Sequence, residues 1–221
     1  MTQGRFISLE GGEGTGKSTQ ARAVAGALEK IGYKVLLTRE PGGTPGAETI
    51  RELLLTGAEE KWNIRTEALL FAAARAEHCA KLIRPALARG DWVICDRFID
   101  SSRAYQSVNG QLSDSEIMDL HRIGSENLMP DRTFILDLPE AVASRRAEAR
   151  DRGDSDRIGG RDSEYHRSVM TNFRRFAADE PERIRLVDAS QSVISRSRQA
   201  QADIPTGSRK RYASPRMDFG R

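Results

Sequence analysis

Gly11-Gly12-Glu13-Gly14-Thr15-Gly16-Lys17-Ser18 is the stretch on which the reading of this chain turns. It fits the pattern G-x-x-x-x-G-K-[ST] and stands between an apolar strand-like run, Arg5 to Glu10, and a segment from Lys17 to Ile31 with apolar residues at helical spacing, closed by Gly32. Strand, glycine loop and helix in that order make a phosphate cradle. Glycines let the backbone curl until successive N–H groups and the helix N-terminus face an anion, Lys17 reaches the outer phosphate oxygens, and the Ser18 hydroxyl can ligate Mg²⁺. Gly11, Gly12, Glu13, Gly14, Thr15, Gly16, Lys17, Ser18 and Thr19 are therefore the expected nucleotide-binding residues. The loop alone leaves kinase, switch GTPase and ATPase open.

Working outward, Tyr33 to Arg39 reads as a second strand, Ala47 to Thr56 as a helix, and Arg65 to Arg89 as one long helix with Pro85 near its end. Trp92 to Cys95 is a third strand. A polar, helix-prone stretch runs from Ser101 to Asn127, Thr133 to Leu138 makes a fourth strand, Ala141 to Arg150 and Ser163 to Ala178 are helices, and Ile184 to Val187 is a fifth strand. This alternation predicts an α/β P-loop fold: a five-stranded parallel sheet with helices on both faces and ligands at the carboxyl ends of the strands.

A chain of 221 residues suits one such domain, placed at 1–193, and is short for two. No run approaches the ~18 to 20 apolar residues of a membrane span, and no signal-peptide core precedes the first strand, so a cytoplasmic protein without a membrane partner is expected. Cys79 and Cys95 have neither metal nor redox spacing and read as buried free thiols. The net charge of +3 is concentrated at the end, where Arg196 to Arg221 carry seven Lys/Arg against Asp203 and Asp218. The body is slightly acidic, which excludes a nucleic-acid binder by composition, and 194–221 reads as an atypical, disordered basic tail.

Val93-Ile94-Cys95-Asp96-Arg97 ends an apolar strand in a carboxylate at the edge where the glycine loop lies. Asp96 suits action on Mg²⁺ through water, with a helix N-cap or a salt bridge as the bland alternative. Arg97, a planar donor fork, suits a bound phosphate. Arg145, Arg146, Arg150, Arg152, Arg157 and Arg161 surround a Gly/Asp-rich segment between two helices, which reads as a mobile arginine-rich lid at about 150–162 able to exclude water and supply transition-state charge. No Asn-Lys-x-Asp guanine reader is present, which counts against a GTPase.

The run Thr38-Arg39-Glu40-Pro41-Gly42-Gly43-Thr44 and the segment Asp96-Arg97-Phe98-x-x-Ser101-Ser102-Arg103-Ala104-Tyr105-Gln106 add a family resemblance. With the glycine loop, they make residues 4 to 190 resemble bacterial thymidylate kinases, and the chain resembles the subtype whose catalytic arginine lies in the lid, since position 14 is glycine. The resemblance implies transfer of the γ-phosphate of ATP, with Mg²⁺, onto dTMP by a homodimer. It implies Glu13 near the sugar 3′-hydroxyl, Phe71 stacked on thymine, and Arg75, one turn later on the same helix face, donating to a thymine carbonyl. Arg39, Arg51 and Arg97 would hold the dTMP phosphate, with Glu40 close by, and Ser102, Tyr105 and Gln106 would line the sugar and base. Catalysis would fall to Lys17, Asp96, Arg97 and a lid arginine, Arg157 first and Arg152 second. Another nucleotide or deoxynucleoside kinase, or a non-catalytic nucleotide-binding protein, is the alternative. The family ordinarily ends in an amphipathic helix; beyond Val193 this chain has no sustained apolar stripe.

Overall fold

The strand Phe6–Gly11 (β1) is buried along its whole length because it occupies the centre of a five-stranded sheet covered on both faces. The computed structural model describes residues 4–151 and 156–190. Around β1, the strands Val35–Arg39 (β2), Trp92–Asp96 (β3), Arg132–Asp137 (β4) and Ile184–Asp188 (β5) run parallel in the order β2-β3-β1-β4-β5. The helices are Lys17–Lys30 (α1), Pro45–Leu55 (α2), Ile64–His78 (α3), Arg84–Ala88 (α4), Ile99–Gln106 (α5), Asp114–Ser125 (α6), Glu140–Asp151 (α7) and Ser163–Asp179 (α8). None of them is long and apolar enough to cross a membrane.

Alternation along the strands separates the cores. Ile7 and Leu9 of β1, with Phe134 and Leu136 of β4, meet Val24 and Leu28 of α1. On the other face, Phe6 and Val93 pack with Ile83, Phe98 and Ile117, and Ile135 packs with Val169, Phe173 and Phe176 of α8. Cys79 and Cys95 are buried free thiols in this second layer.

Register positions the site. Leu9 of β1 lies beside Asp96 of β3, and Arg39 of β2 also pairs with Asp96, so the ends of three strands come level beside the glycine loop. Two elements differ from the sequence reading. The expected helix over Arg65 to Arg89 is divided by a π-turn at Cys79–Ile83, just ahead of Pro85, whose ring and missing N–H disrupt the ordinary helical ladder. The stretch Ser101 to Asn127 is two helices, because Asn109 and Gly110 take positive φ values of 56° and 68°, and Ser113 with Glu116 forms a capping box that starts α6.

A buried polar network fastens α5 to the sheet. Asp100, fully buried, accepts from Arg183 Nη1 and Nη2 at 2.6 and 2.8 Å, from Arg103 Nη1 at 2.9 Å and from Thr133 Oγ1 at 2.9 Å. Burial alone would raise its pKa; Arg183 and Arg103 instead hold it down at about 2. Its stabilising contribution is present above 3.8 and is lost as pH falls through about 2. Removing this charge takes a shared buried carboxylate from Arg183 and Arg103, which keep Glu180 and Asp114 as partners, so Asp100→Asn is expected to cost about 3 kcal/mol of unfolding free energy in urea titration at pH 7; a loss under 1 kcal/mol would contradict the network's role.

Candidate active site

The glycine loop turns on backbone that side chains resist. Gly14 and Gly16 have φ of 69° and 87°, and a Cβ on Gly11 (φ 132°) would stand 2.6 Å from the Leu136 carbonyl oxygen. Lys17 opens α1 and folds back, its Nζ donating to the Gly12 carbonyl at 2.7 Å, where Thr15 Oγ1 also donates at 2.9 Å. Burial, and then Arg97, lower the Lys17 pKa to about 8 against the pull of Glu13, Asp96 and Glu10. Ser18 Oγ donates to Asp96 Oδ2, so the hydroxyl and carboxylate expected to serve a metal meet at one point.

Arg97 joins two halves of the site. It follows β3 in a left-handed conformation, φ 67°, strained for a non-glycine residue and held by an N–H bond to the Leu9 carbonyl at 2.9 Å. Its Nη1 donates to the Gly11 carbonyl and Ser101 Oγ, both at 3.2 Å, its Nη2 pairs with Glu13, and its guanidinium lies 5.1 Å from the centre of the Tyr105 ring. Behind it, Glu10 accepts from Phe98 N at 2.8 Å and from Ser101 Oγ at 2.5 Å; burial and then the Asp100 carboxylate push its pKa up.

A cleft of about 600 Å³ runs from the glycine loop past Arg97 to the space between α3 and α5. Glu13, Gly14, Gly16, Lys17, Ser18, Thr19, Asp96 and Arg97 line its first part. Arg39, Glu40, Arg51, Phe71, Arg75, Ser102, Tyr105 and Gln106 line the rest, so every residue expected at the acceptor borders the same cavity. Arg39 pairs with Glu48 at 3.1 Å on the rim, and Arg51 donates to the Pro41 carbonyl at 2.7 Å. Arg75 is buried, donating from Nε to Glu40 at 2.7 Å and from Nη2 to Ser102 Oγ at 2.7 Å. Both oxygens of Glu40 are engaged, the second by His78 Nδ1 at 3.0 Å. Against burial, which would raise it, Arg75 and His78 hold its pKa below the usual carboxylate value. Glu40 thus orients Arg75.

Arg157 is a correction. Its guanidinium is fully buried away from the cleft, giving Nη2 to Glu67 Oε2 at 2.6 Å and Nε to the Leu54 carbonyl at 2.8 Å. A positive side chain on an Asp-Arg step in a lid can turn either way, and here a buried carboxylate captures it. Its neighbours Asp156, Ile158 and Gly159 face the cleft instead, as does Arg146 of α7. Arg152 and the tail from 194 onward lie outside the described residues. Sequence reading missed Glu67, four residues before Phe71 and eight before Arg75 on one helical face, and this spacing was the available signal. It missed Glu10 as well, the one acidic residue in the central strand.

A parallel sheet with a lysine-bearing glycine loop, a strand-end carboxylate and an arginine-lined second pocket defines a P-loop nucleotide-binding protein built to hold a second ligand beside the nucleotide. The thymidylate kinase family model matches residues 9–200. A thymidylate kinase of Rhizorhabdus wittichii is 54% identical over 204 residues, covering 91% of this chain and 98% of that one, and one of Caulobacter vibrioides is 49% identical over 189 residues, covering 86% and 90%. The crystal structure of thymidylate kinase from Ehrlichia chaffeensis superposes with a TM-score of 0.67 at 34% identity, covering 84% of this chain and 93% of that one. This chain belongs to the thymidylate kinase family.

With Lys17 half-protonated near pH 8, a bound polyphosphate draws a proton onto it. Calorimetry in buffers of differing ionisation enthalpy is expected to show uptake of roughly half a proton per ATP at pH 8, with affinity falling as pH rises beyond that point. The uptake persists in Glu10→Gln, which removes the other buried group near the loop. Zero uptake between pH 7.5 and 9 would contradict this electrostatic reading.

Proposed function

We propose that the chain phosphorylates dTMP to dTDP with ATP, and that Arg97 is the residue through which the two substrates share one site. The observation that carries this reading is the position of Arg97, bonded to the glycine loop on one side and lying over Tyr105 of the acceptor pocket on the other. A dTMP phosphate oxygen attacks the γ-phosphorus, the new P–O bond forms in line as the β–γ bridge breaks, and ADP leaves with the bridging electron pair. No enzyme nucleophile is required.

Lys17 neutralises the outer phosphate oxygens, and Arg97 lowers the repulsion between donor and acceptor anions. Arg51 and Arg39 receive the dTMP phosphate, Phe71 stacks on the base, Arg75 donates to a base carbonyl, and Tyr105 crowds the position of a 2′-hydroxyl. Glu13 serves the 3′-hydroxyl. For Mg²⁺, the Ser18–Asp96 pair fits an ion whose remaining ligands are phosphate and water, and among the described residues no cluster of three or more His, Cys, Asp or Glu offers a full cage. Such an ion would supply charge neutralisation of the phosphates. For the transition-state arginine we propose Arg146, which lines the cleft and is exposed, with Arg152 retained as the second candidate. A homodimer is supported by Leu69 of α3 and Ile123 of α6, exposed apolar side chains on adjacent helices; a monomer in sedimentation equilibrium would contradict it.

In a coupled ADP-release assay with MgATP, dTMP is expected to be turned over far faster than dCMP, dAMP or thymidine, and Lys17→Ala to lower its rate at least about 100-fold. No turnover with any acceptor while ATP still binds, or equal turnover of thymidine, would overturn the proposal. Arg146→Ala is expected to lower kcat at least about tenfold with Tm unchanged, whereas Arg157→Ala breaks a buried pair and costs about 3 kcal/mol of stability. If Arg146→Ala leaves kcat within twofold, that assignment fails.

A further inference from the structure

Four elements wall the acceptor part of the cleft: α2 at Leu55, α3 at Phe71, α5 at Tyr105, and residues 156–161 at Asp156, Ile158 and Gly159. One buried carboxylate connects them. Glu67 stands in the first turn of α3, one turn before Phe71, with its side chain wholly out of solvent. Its Oε2 accepts from Arg157 Nη2 at 2.6 Å and from Arg161 Nη2 at 2.7 Å, and its Oε1 from Gln106 Nε2 at 3.0 Å at the end of α5.

Arg157 carries the connection on to α2. Its Nε donates to the Leu54 carbonyl at 2.8 Å and its backbone N–H to the Leu55 carbonyl at 3.2 Å. These are the last carbonyls of α2, which the helix itself leaves without donors, and α2 has no basic residue in its last turn to serve them. The next residue, Ile158, packs with Tyr105, Val169 and Phe173, so this stretch is held by charge on one side and by apolar contact on the other. A carboxylate and a guanidinium buried together keep a fixed direction, because breaking the pair leaves a charge without its partner away from water. None of these bonds reaches the glycine loop, whose own contacts run from Ser18 to Asp96 and from Gly11 and Glu13 to Arg97.

We propose that Glu67 is a positioning residue for acceptor binding: by holding Arg157 and Arg161 it clips residues 156–161 and the end of α2 to α3 and α5, and so sets the shape of the acceptor part of the cleft without touching the substrate. This rests on the reading that this part of the cleft takes the acceptor nucleotide. Arg157 then serves the reaction by fixing a wall, and the glycine-loop end of the cleft does not depend on it.

The test measures kcat and the KM values for dTMP and MgATP in the wild type, E67Q, R157M and the double variant. E67Q keeps the size of the side chain and removes its charge. A KM does not depend on the fraction of chains that are folded, so lost stability does not imitate the effect. The KM for dTMP is expected to rise at least about tenfold in E67Q and in R157M, with the KM for ATP within about twofold of wild type. Because both substitutions remove the same contact, the double variant is expected to stay within about twofold of E67Q. R161Q removes only the partly exposed partner and is expected to raise the KM for dTMP about threefold, which supplies the reading if the buried variants do not fold. A KM for dTMP unchanged in E67Q, or in R161Q where E67Q does not fold, would overturn the proposal. So would an equal rise for ATP, a fall in kcat with both KM values unchanged, or additive losses in the double variant. Absence of wild-type dTMP turnover would instead strike the kinase reading, leaving the two failures distinguishable.

Discussion

The pairing of β1 with β3 governs everything else in this molecule. Leu9 stands beside Asp96, so the glycine loop leaves β1 at the level where β3 delivers Asp96 and Arg97. Ser18 then reaches Asp96, and Arg97 reaches Gly11 and Glu13, across short distances that no loop flexibility has to bridge. A slip of one residue would turn each side chain of β3 to the opposite face and dismantle both contacts at once. The strained φ of Arg97 is tolerated because the backbone on each side is tied, by the N–H of Arg97 to Leu9 and the N–H of Phe98 to Glu10.

From that junction the structure distributes charge unevenly. The nucleotide end has cationic groups near backbone carbonyls, with Lys17 held at a lowered pKa until an anion arrives. At the acceptor end, buried carboxylates hold the groups around the cavity: Glu40 pairs with Arg75, and Glu67 pairs with Arg157 and Arg161 and accepts from Gln106. Buried ion pairs add little net stability over apolar packing, but breaking one is expensive, so they suit parts that must keep a fixed direction. Asp100 does the same for α5 as a whole, linking the helix that carries Ser102, Tyr105 and Gln106 to β4 and to Arg183.

How much of this could be read beforehand differs with the kind of signal. The parallel sheet and the glycine loop were legible because strand runs, the loop pattern and helix periodicity are local, whereas the strand order was not. Phe71 and Arg75 fell on one face by helical spacing, and the family pattern gave them a purpose. Helix boundaries around Pro85 and Asn109 were not legible, since a π-turn and a left-handed residue leave no periodic trace. The direction of Arg157 was beyond sequence for a different reason. Its partner lies 90 residues away, and Glu67 in a first helical turn reads most simply as a complement to the helix dipole.

The claim at the centre is that one cleft, bridged by Arg97, holds donor and acceptor nucleotides end to end. Its most direct test is binding of a bisubstrate analogue, adenosine and thymidine joined 5′ to 5′ by a pentaphosphate, against ATP and dTMP separately. Joined occupants of one cleft should bind at least about 100-fold tighter than either nucleotide, with one analogue per chain, each excluding both substrates. An analogue that binds no tighter than ATP, or leaves dTMP binding undisturbed, would contradict the account.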